Sequence, residues 1–261
     1  EYLIADMASI EELESVLKGR RFDYVVNLGG YVDHSPYRSG GHTVIDTHFI
    51  GVQNLLQVLD WSGLKAFVQI GSSDEYGDQP APQLESMRET PISPYSMAKV
   101  AADQLLQMLQ RTEGFPAVML RLFLVYGPGQ DDKRFLPQII KGCLNNEAFP
   151  TSYGEQLRDF CHVDDVVRAI LISLNTNNAQ GEIINIASGE PISIKNMIEK
   201  VRDTIHAGRP QFGKVPYRAK ENMALYADIT KAHRLLSWQP EISLDKGLDA
   251  TVRYYQELYR K

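Results

Sequence analysis

The stretch Ala66-Phe67-Val68-Gln69-Ile70-Gly71-Ser72-Ser73 decides the fold, because it reads as a buried strand that stops at small polar residues. A helix is predicted downstream, from Pro94 to about Glu113, and the next apolar run is Ala117-Val118-Met119-Leu120-Arg121-Leu122. A strand, a helix and a strand of these lengths form a βαβ unit whose two strands lie parallel. The sequence therefore predicts a doubly wound α/β fold.

The same alternation continues on both sides of this unit. Upstream, strands are predicted at residues 2–6 and 23–28, and helices at 10–17 and 42–61. The first of these helices begins after Ser9, because Ser9-Ile10-Glu11-Glu12 has the form of a capping box. Downstream, helices are predicted at 135–144, 163–174 and 194–205, and a strand at 182–186. The polar segment 208–221 is predicted to be a surface loop.

Composition excludes several classes of protein. The chain has 261 residues, of which 43% are hydrophobic and 23% charged, as in globular proteins. Its net charge of −6 offers no basic surface for nucleic acid or an anionic membrane. No apolar run approaches the ~18–20 residues that a bilayer-spanning helix needs. Cys143 and Cys161 form no CxxC pair, so we expect no metal site and a cytoplasmic location.

The segment Tyr95-Ser96-Met97-Ala98-Lys99 is the sharpest catalytic candidate. A spacing of four residues puts Tyr95 and Lys99 on one helix face, just after the predicted N-cap Ser93. A nearby ammonium lowers the pKa of a phenol from ~10 toward neutral, as does a helix N-terminus. Such a tyrosine exchanges a hydroxyl proton while a hydride leaves or joins the same carbon. An incidental pair on a solvated helix is the alternative interpretation.

Ser72 and Ser73 are predicted to share the crevice of Tyr95. Ligands of doubly wound sheets bind beyond the carboxyl ends of the strands, where these two serines stand. A serine hydroxyl there would hold the substrate oxygen beside the phenol. The alternative is a Ser/Gly turn followed by the solvated acids Asp74 and Glu75.

Further motifs stand in order along the chain. They are Asp6-Met7, Asn27-Leu28-Gly29-Gly30, Gly51-Val52-Gln53-Asn54-Leu55-Leu56, Arg121-Leu122-Phe123-Leu124-Val125-Tyr126-Gly127-Pro128 and Arg158-Asp159-Phe160-Cys161-His162-Val163-Asp164-Asp165. Together with the serine, tyrosine and lysine motifs they resemble the nucleotide-sugar epimerase/dehydratase branch of the extended short-chain dehydrogenase/reductase family. The resemblance implies a Rossmann-like doubly wound parallel sheet with a smaller C-terminal substrate lobe, an NAD or NADP cofactor and a nucleotide-sugar substrate.

The resemblance also assigns roles to residues. It implies that Tyr95, Lys99, Ser73 and Ser72 are catalytic. It implies that the cofactor contacts Asp6, Met7, Leu28, Gly29, Gly30, Asn54, Tyr95 and Lys99. The candidate substrate-binding residues are Ser35, Arg158 and Arg218. A diphosphate favours arginine, with its paired donors, although an ordinary surface ion pair is the alternative for Arg158 and Arg218.

The resemblance divides the chain into two parts. Residues 1–128 form the cofactor-binding domain, and residues 129–261 mainly the substrate lobe, with 163–186 returning to the first part. No glycine-rich GxGxxG loop follows a strand anywhere in the sequence. We therefore expect the two first strands of the family to lie upstream, in roughly 50 further residues. We also expect a homodimer formed through the helices predicted at 42–61 and 94–113.

The resemblance leaves three reactions open, which share hydride transfer at sugar C4. A 4-epimerase or a 4-keto-6-deoxy-sugar reductase is favoured, because Glu75 directly precedes Tyr76-Gly77. In a 4,6-dehydratase, Asp74 and Glu75 would be the acid and base, but one more residue usually separates that glutamate from the Tyr-Gly pair. A non-catalytic dinucleotide-binding regulatory module is another alternative, as is a steroid or flavonoid reductase, which Arg158-Asp159-Phe160 disfavours. The choice between NAD and NADP stays open.

Overall fold

The computed structural model describes residues 1–217 and 221–259. Within these residues the strands are β1 (Tyr24–Asn27), β2 (Ala66–Ser72), β3 (Ala117–Leu122), β4 (Leu124–Tyr126), β5 (Ala148–Pro150), β6 (Leu157–His162), β7 (Ile183–Ile186), β8 (Pro191–Ser193), β9 (Arg209–Gln211) and β10 (Ala224–Leu225). The helices are α1 (Ile10–Leu17), α2 (Gly41–Ile45), α3 (Gly51–Val58), α4 (Pro94–Glu113), α5 (Phe135–Leu144), α6 (Val163–Ser173), α7 (Ile194–Ile205), α8 (Thr230–Leu236) and α9 (Leu244–Tyr259). A π-helical turn, Asp46–Ile50, joins α2 to α3.

A parallel sheet in the order β1-β2-β3-β7 carries the first part of the molecule. Apolar side chains of α3 and α4 cover one face, where Leu56 and Leu106 pack with Phe67. Apolar side chains of α6 cover the other face, where Val166 packs with Val68. Layers on both faces explain why these strands are continuously apolar. The prediction of a doubly wound α/β fold is confirmed.

The beginning and end of α4 follow from its sequence. The Ser93 hydroxyl accepts the backbone N–H of Ser96 at 3.1 Å, and Pro94 occupies the first helical position. Gly114 ends the helix in a left-handed conformation with φ 70°. The predicted bounds of this helix are confirmed, and they place Tyr95 in its first turn.

The structure differs from the sequence prediction at the amino end. Residues 2–6 form no strand, and the side chains of Tyr2 and Ile4 are almost fully exposed. The reason is a missing partner: within the described residues, β1 pairs with β2 alone, so no strand is available to bond residues 2–6. The predicted helix after Ser9 does form, and the Ser9 hydroxyl accepts the Glu12 N–H at 3.3 Å.

Two further differences are local. The helix predicted at 42–61 is interrupted by the π-helical turn, which inserts an extra residue into the hydrogen-bond pattern and rotates the side chains that follow. The segment 208–221, predicted to be a loop, contains β9, which pairs with β5 in parallel. Short strands of this kind depend on a distant partner and are not encoded in the local pattern.

The second half of the chain builds a smaller sheet and a helical layer. Strands β10, β6 and β4 lie side by side, and β8 pairs with β6. Helices α5, α7 and α9 pack on this sheet through Ile140, Val201 and Val252. Between β6 and β8, the chain returns to the first sheet through α6 and β7. No helix in residues 1–217 and 221–259 is long and apolar enough to cross a membrane.

Candidate active site

Tyr95 and Lys99 lie together at the carboxyl end of β2. Their side chains are 6% and 5% exposed, and the Lys99 Nζ atom lies 6.0 Å from the centroid of the Tyr95 ring. The Lys99 ammonium donates to the carbonyl oxygen of Ile70 at 2.7 Å, which fixes it against the strand. Spacing along α4 therefore brings the two side chains to one face, as the sequence predicts.

Ser72 is the serine that lies beside the phenol. It ends β2, and its hydroxyl contacts the Tyr95 side chain. The same hydroxyl accepts the backbone N–H of Asp74 at 3.2 Å and so begins a tight turn over residues 73–76. Ser73, the other candidate, is buried in that turn. Of the two serines, Ser72 is the better placed for the predicted role.

The pKa of Tyr95 contradicts the expectation from the sequence. Burial raises the pKa of this phenol to about 12, and the charges of Asp74 and Glu75 act in the same direction. The contact with Ser72 lowers it only in part. The Lys99 ammonium donates to the Ile70 carbonyl, and burial of the phenol is the largest of the causes that set the pKa of Tyr95.

Glu75 is buried in the protein interior. Its side chain is 0% exposed, one oxygen accepts the Ser72 backbone N–H at 2.7 Å, and the other accepts from Arg121 at 2.7 Å. Gly71 permits this arrangement, because a Cβ atom there would lie 2.7 Å from a Glu75 oxygen. Glu75 is therefore too deeply buried to reach a substrate as an acid or base. Asp74 stays nearer the opening, 3.5 Å from the His34 ring nitrogen.

Several predicted cofactor residues lie together beside β1. The Asn54 amide donates to the Met7 carbonyl at 3.0 Å, and a Cβ atom at Gly29 would lie 2.3 Å from the Met7 sulfur. Asp6 is exposed next to Met7, where its carboxylate accepts the Ala8 N–H at 2.9 Å. The two remaining positions, Leu28 and Gly30, follow β1: Leu28 is exposed and Gly30 has φ +115°.

Sequence reasoning missed His48, which packs against Tyr95. The two rings meet edge to face with centroids 5.0 Å apart, and His48 is 3% exposed. Its Nε2 atom pairs with the Tyr31 carbonyl at 2.7 Å, and Nδ1 has no hydrogen-bond partner among the described residues. Burial lowers the pKa of His48 to about 4, and the charge of Lys99 acts in the same direction. The π-helical turn places this ring, and no sequence signal marks that turn.

The lowered pKa of His48 predicts acid sensitivity. The unfolded chain binds this proton near pH 6.5 and the folded chain only near pH 4. Protonation therefore favours the unfolded state as pH falls from 6.5 toward 4, and stability returns as pH rises. Between pH 7 and pH 5 we expect this group to remove about 2 kcal/mol from the free energy of unfolding.

Urea denaturation at the two pH values measures this effect. His48→Phe, which keeps a ring but carries no titrating group, should show a smaller loss between pH 7 and pH 5 than the unchanged protein. The matched control is His206→Asn, at an exposed left-handed position that asparagine tolerates. Equal losses in the unchanged protein and in His48→Phe would show that His48 is not responsible.

The groups around Tyr95 are able to hold the ribose and nicotinamide end of a dinucleotide. An ammonium has three N–H donors, so the Lys99 bond to Ile70 leaves donors for ribose hydroxyls. His48 adds a buried acceptor, Nδ1, that has no partner within residues 1–217 and 221–259. An unpaired buried acceptor is costly, and a hydroxyl donor would relieve that cost. These side chains fit a bound NAD or NADP.

Two of the three predicted substrate residues, Ser35 and Arg158, lie within the described residues, and Arg218 lies outside them. Arg158 is mostly buried and forms an ion pair with Glu221. Ser35 donates its backbone N–H to Asp33 at 2.8 Å. Its neighbour His34 meets the Tyr95 ring edge to face at 5.6 Å, so this loop reaches the surroundings of Tyr95.

Residues 1–187 of the sequence match the NAD dependent epimerase/dehydratase family. With this match and the geometry above, the chain belongs to that family, whose members are enzymes that act on nucleotide sugars with NAD or NADP. The expected family, cofactor type and enzymatic nature are thus confirmed.

Particular relatives carry names that differ in reaction. The UDP-glucuronate 4-epimerase of Thermodesulfobacterium geofontis is 28% identical over 97% of this chain and 78% of that protein. The dTDP-glucose 4,6-dehydratase 1 of Escherichia coli is 27% identical over 96% of this chain and 77% of that protein. The crystal structure of a Thermotoga maritima UDP-glucose 4-epimerase with UDP-glucose superposes with TM-score 0.90 at 27% identity, over 98% of this chain and 84% of that one.

Proposed function

We propose that this chain is an NAD(P)-dependent nucleotide-sugar 4-epimerase. The observation that carries the proposal is the joint placement of Ser72, Tyr95 and Lys99 at the end of β2, with Glu75 turned into the core. Proton exchange at one sugar hydroxyl needs the first three groups and no further carboxylate. The similarity to the UDP-glucuronate and UDP-glucose 4-epimerases supports the same reaction class.

Each side chain has one task in this proposal. Bound NAD(P) supplies the hydride acceptor and donor at sugar C4. The Tyr95 hydroxyl exchanges a proton with the C4 hydroxyl, and the Ser72 hydroxyl, which contacts Tyr95, holds the C4 oxygen. Lys99 provides a fixed positive charge on the same helix face, which favours the phenolate when the pocket is filled. The Arg158 guanidinium gives up its bond to Glu221 and binds the diphosphate through two N–H donors.

A 4,6-dehydratase also needs an acid and a base that act on the C6 hydroxyl. The side chain of Glu75 is sealed from the cleft by its bonds to Ser72 and Arg121, which argues against that role. Asp74 alone would have to serve, and it neighbours His34. The dehydratases among the relatives therefore match this chain in overall sequence more closely than in their acid/base pair.

The experiment is incubation of the protein with UDP-, GDP-, CDP- and dTDP-sugars and either NAD or NADP. A 4-epimerase gives a product of unchanged mass whose C4 configuration is inverted, which proton NMR resolves. Loss of the mass of water would instead show a dehydratase. A parallel incubation with a 4-keto-6-deoxy nucleotide sugar and NADH or NADPH tests the reductase reaction, which would give a product two hydrogens heavier and consume the reduced cofactor. Binding of cofactor without any of these products would contradict the proposal.

We also propose a homodimer formed through α4 and the neighbouring π-helical turn. Met97 and Met108 lie three helical turns apart on one face of α4, and both are about half exposed. Ile50, in the turn that packs against α4, is exposed beside it. We expect twice the chain mass in light scattering, and the monomer mass for Met97→Glu with Met108→Glu. A monomeric unchanged protein would contradict this assembly.

A further inference from the structure

A buried charge cluster lies under the first turns of α4. Its members are Arg121, Lys99, Glu75, Glu89 and Asp103. Arg121 is fully buried, and its guanidinium contacts the carboxylates of Glu75 at 2.7 Å, Glu89 at 2.6 Å and Asp103 at 3.3 Å. Lys99 and Asp103 are four residues apart on α4, so their side chains share one face of that helix. The cluster therefore joins the catalytic lysine to three acids.

The charges of the buried charge cluster do not balance when every group is ionised. Three carboxylates stand against two cations, which leaves one negative charge uncompensated in the interior. A buried carboxyl group takes up a proton rather than remain charged without a partner. Glu89 is the acid that reaches solvent, with its side chain 14% exposed, whereas the side chains of Glu75 and Asp103 are 0% and 1% exposed. The extra proton therefore belongs with Glu75 and Asp103.

The contacts of these two carboxyl groups are those of a pair that shares a proton. Both accept from the same Arg121 Nε–H, at 2.7 and 3.3 Å, and they contact each other. Two ionised carboxylates cannot hydrogen-bond to one another, but an acid and a carboxylate can. Among the described residues, Asp103 Oδ1 has no hydrogen-bond partner, so this oxygen is able to carry the shared proton. In agreement, burial raises the pKa of both groups.

The pair is connected to the catalytic face by two short routes. Glu75 accepts the backbone N–H of Ser72, whose hydroxyl contacts Tyr95, so it fixes the serine that orients the phenol. Negative charge on Glu75 and Asp103 also favours the ammonium form of Lys99, and charge on Glu75 opposes the phenolate form of Tyr95. The number of protons on the pair thus sets the local charge under both catalytic groups.

We propose that Glu75 and Asp103 are positioning residues that hold one proton between them, and that release of this proton to solvent at high pH changes the charge beneath Tyr95 and Lys99. This role of the pair deepens the proposed function. Only the kinetic test depends on the proposed function, and the infrared test does not. The groups that face the pair are Tyr76 from the turn of Glu75, Lys99 and Tyr95 from α4, Arg121 from β3 and Glu89 from the loop before α4.

Infrared spectroscopy at pH 7 tests the shared proton without any substrate. Glu75→Gln and Asp103→Asn each remove one carboxyl group and leave two carboxylates against two cations, so the remaining member of the pair ionises. Each variant should therefore lose the C=O band of one protonated carboxyl group relative to the unchanged protein. Glu113→Gln, at the exposed end of the same helix, is the matched control and should keep that band.

The pH dependence of kcat is the second readout. In the unchanged protein we expect kcat to fall at alkaline pH as the pair loses its proton, and in both variants this fall should move to higher pH. At pH 7, Glu75→Gln should lose less than the ~10²-fold that marks a group transferring a proton to substrate. A merely structural role for these residues would lower stability without moving the alkaline limb.

Three outcomes would overturn the inference. One is persistence of the infrared band in both variants when circular dichroism shows that they are folded. Another is an alkaline limb that neither variant moves. The third is a kcat loss of ~10²-fold or more in Glu75→Gln, which would place this group in direct contact with the substrate. If no nucleotide sugar is turned over at all, the proposed function fails while the infrared result still decides whether the pair holds a proton.

Discussion

Tyr95→Phe is expected to lower kcat by about 10²- to 10⁴-fold, because it removes the hydroxyl that exchanges a proton with the sugar hydroxyl in the proposed reaction. The ring itself stays, and with it the edge-to-face contacts to His34 and His48 at 5.6 and 5.0 Å. The fold and the cofactor pocket should therefore be preserved. Steady-state turnover of the nucleotide sugar found active for the unchanged protein is the measurement.

Two companion measurements make the result specific. Cofactor affinity, followed by fluorescence or calorimetry, should change little in Tyr95→Phe, because the lost hydroxyl belongs to proton exchange and not to the packing of the pocket. Tyr254→Phe removes a hydroxyl from a partly exposed tyrosine of α9 and should leave kcat unchanged. Turnover of Tyr95→Phe within a few-fold of the unchanged protein would exclude Tyr95 as the proton-exchanging group.

The βαβ core could be predicted because its signals are local. Strand β2 and strand β3 are continuous apolar runs, and α4 carries a capping serine, a proline at its first position and a glycine at its end. These features fix where the chain changes from strand to helix. Since parallel strands present their carboxyl ends at one edge, the sequence also predicts that Ser72, Tyr95 and Lys99 meet.

The contents of the cleft depend on contacts that the local pattern does not encode. His48 reaches Tyr95 only because a π-helical turn rotates it inward, and such turns have no clear sequence signal. Glu75 follows Asp74 directly, yet one of these acids is buried on Arg121 and the other stands near the opening. Asp103, four residues after Lys99, and Arg121, inside an apolar strand, are sequence signals of the buried charges beneath.

The direction of the pKa shift of Tyr95 also depends on packing that the sequence pattern does not encode. Sequence spacing predicts that Lys99 lies near the phenol, and it does, but spacing cannot tell how deeply both groups are buried. Desolvation penalises the phenolate, and in this structure it is the largest of the causes that set the pKa of Tyr95. A motif thus predicts which groups meet, whereas the sign of a pKa shift needs the surrounding packing.

Arg121→Met is expected to lower the free energy of unfolding by about 3–5 kcal/mol, the cost of leaving buried carboxyl groups without their cation. Methionine fills a similar volume, so the loss reports on charge more than on packing. Arg121 is the one group of the buried charge cluster that contacts three acids, and two of them, Glu75 and Asp103, have no access to solvent. Chemical denaturation at pH 7 measures the change.

Removing the acids as well should reverse part of this loss. In Arg121→Met with Glu75→Gln and Asp103→Asn, no ionisable acid of the pair remains buried, so stability should rise above that of Arg121→Met alone. Arg111→Met, on the exposed face of α4, is the matched control, with an expected change within about 0.5 kcal/mol. A triple variant no more stable than Arg121→Met would mean that Arg121 stabilises the fold through shape and hydrogen bonds, not through the charge it brings to the two acids.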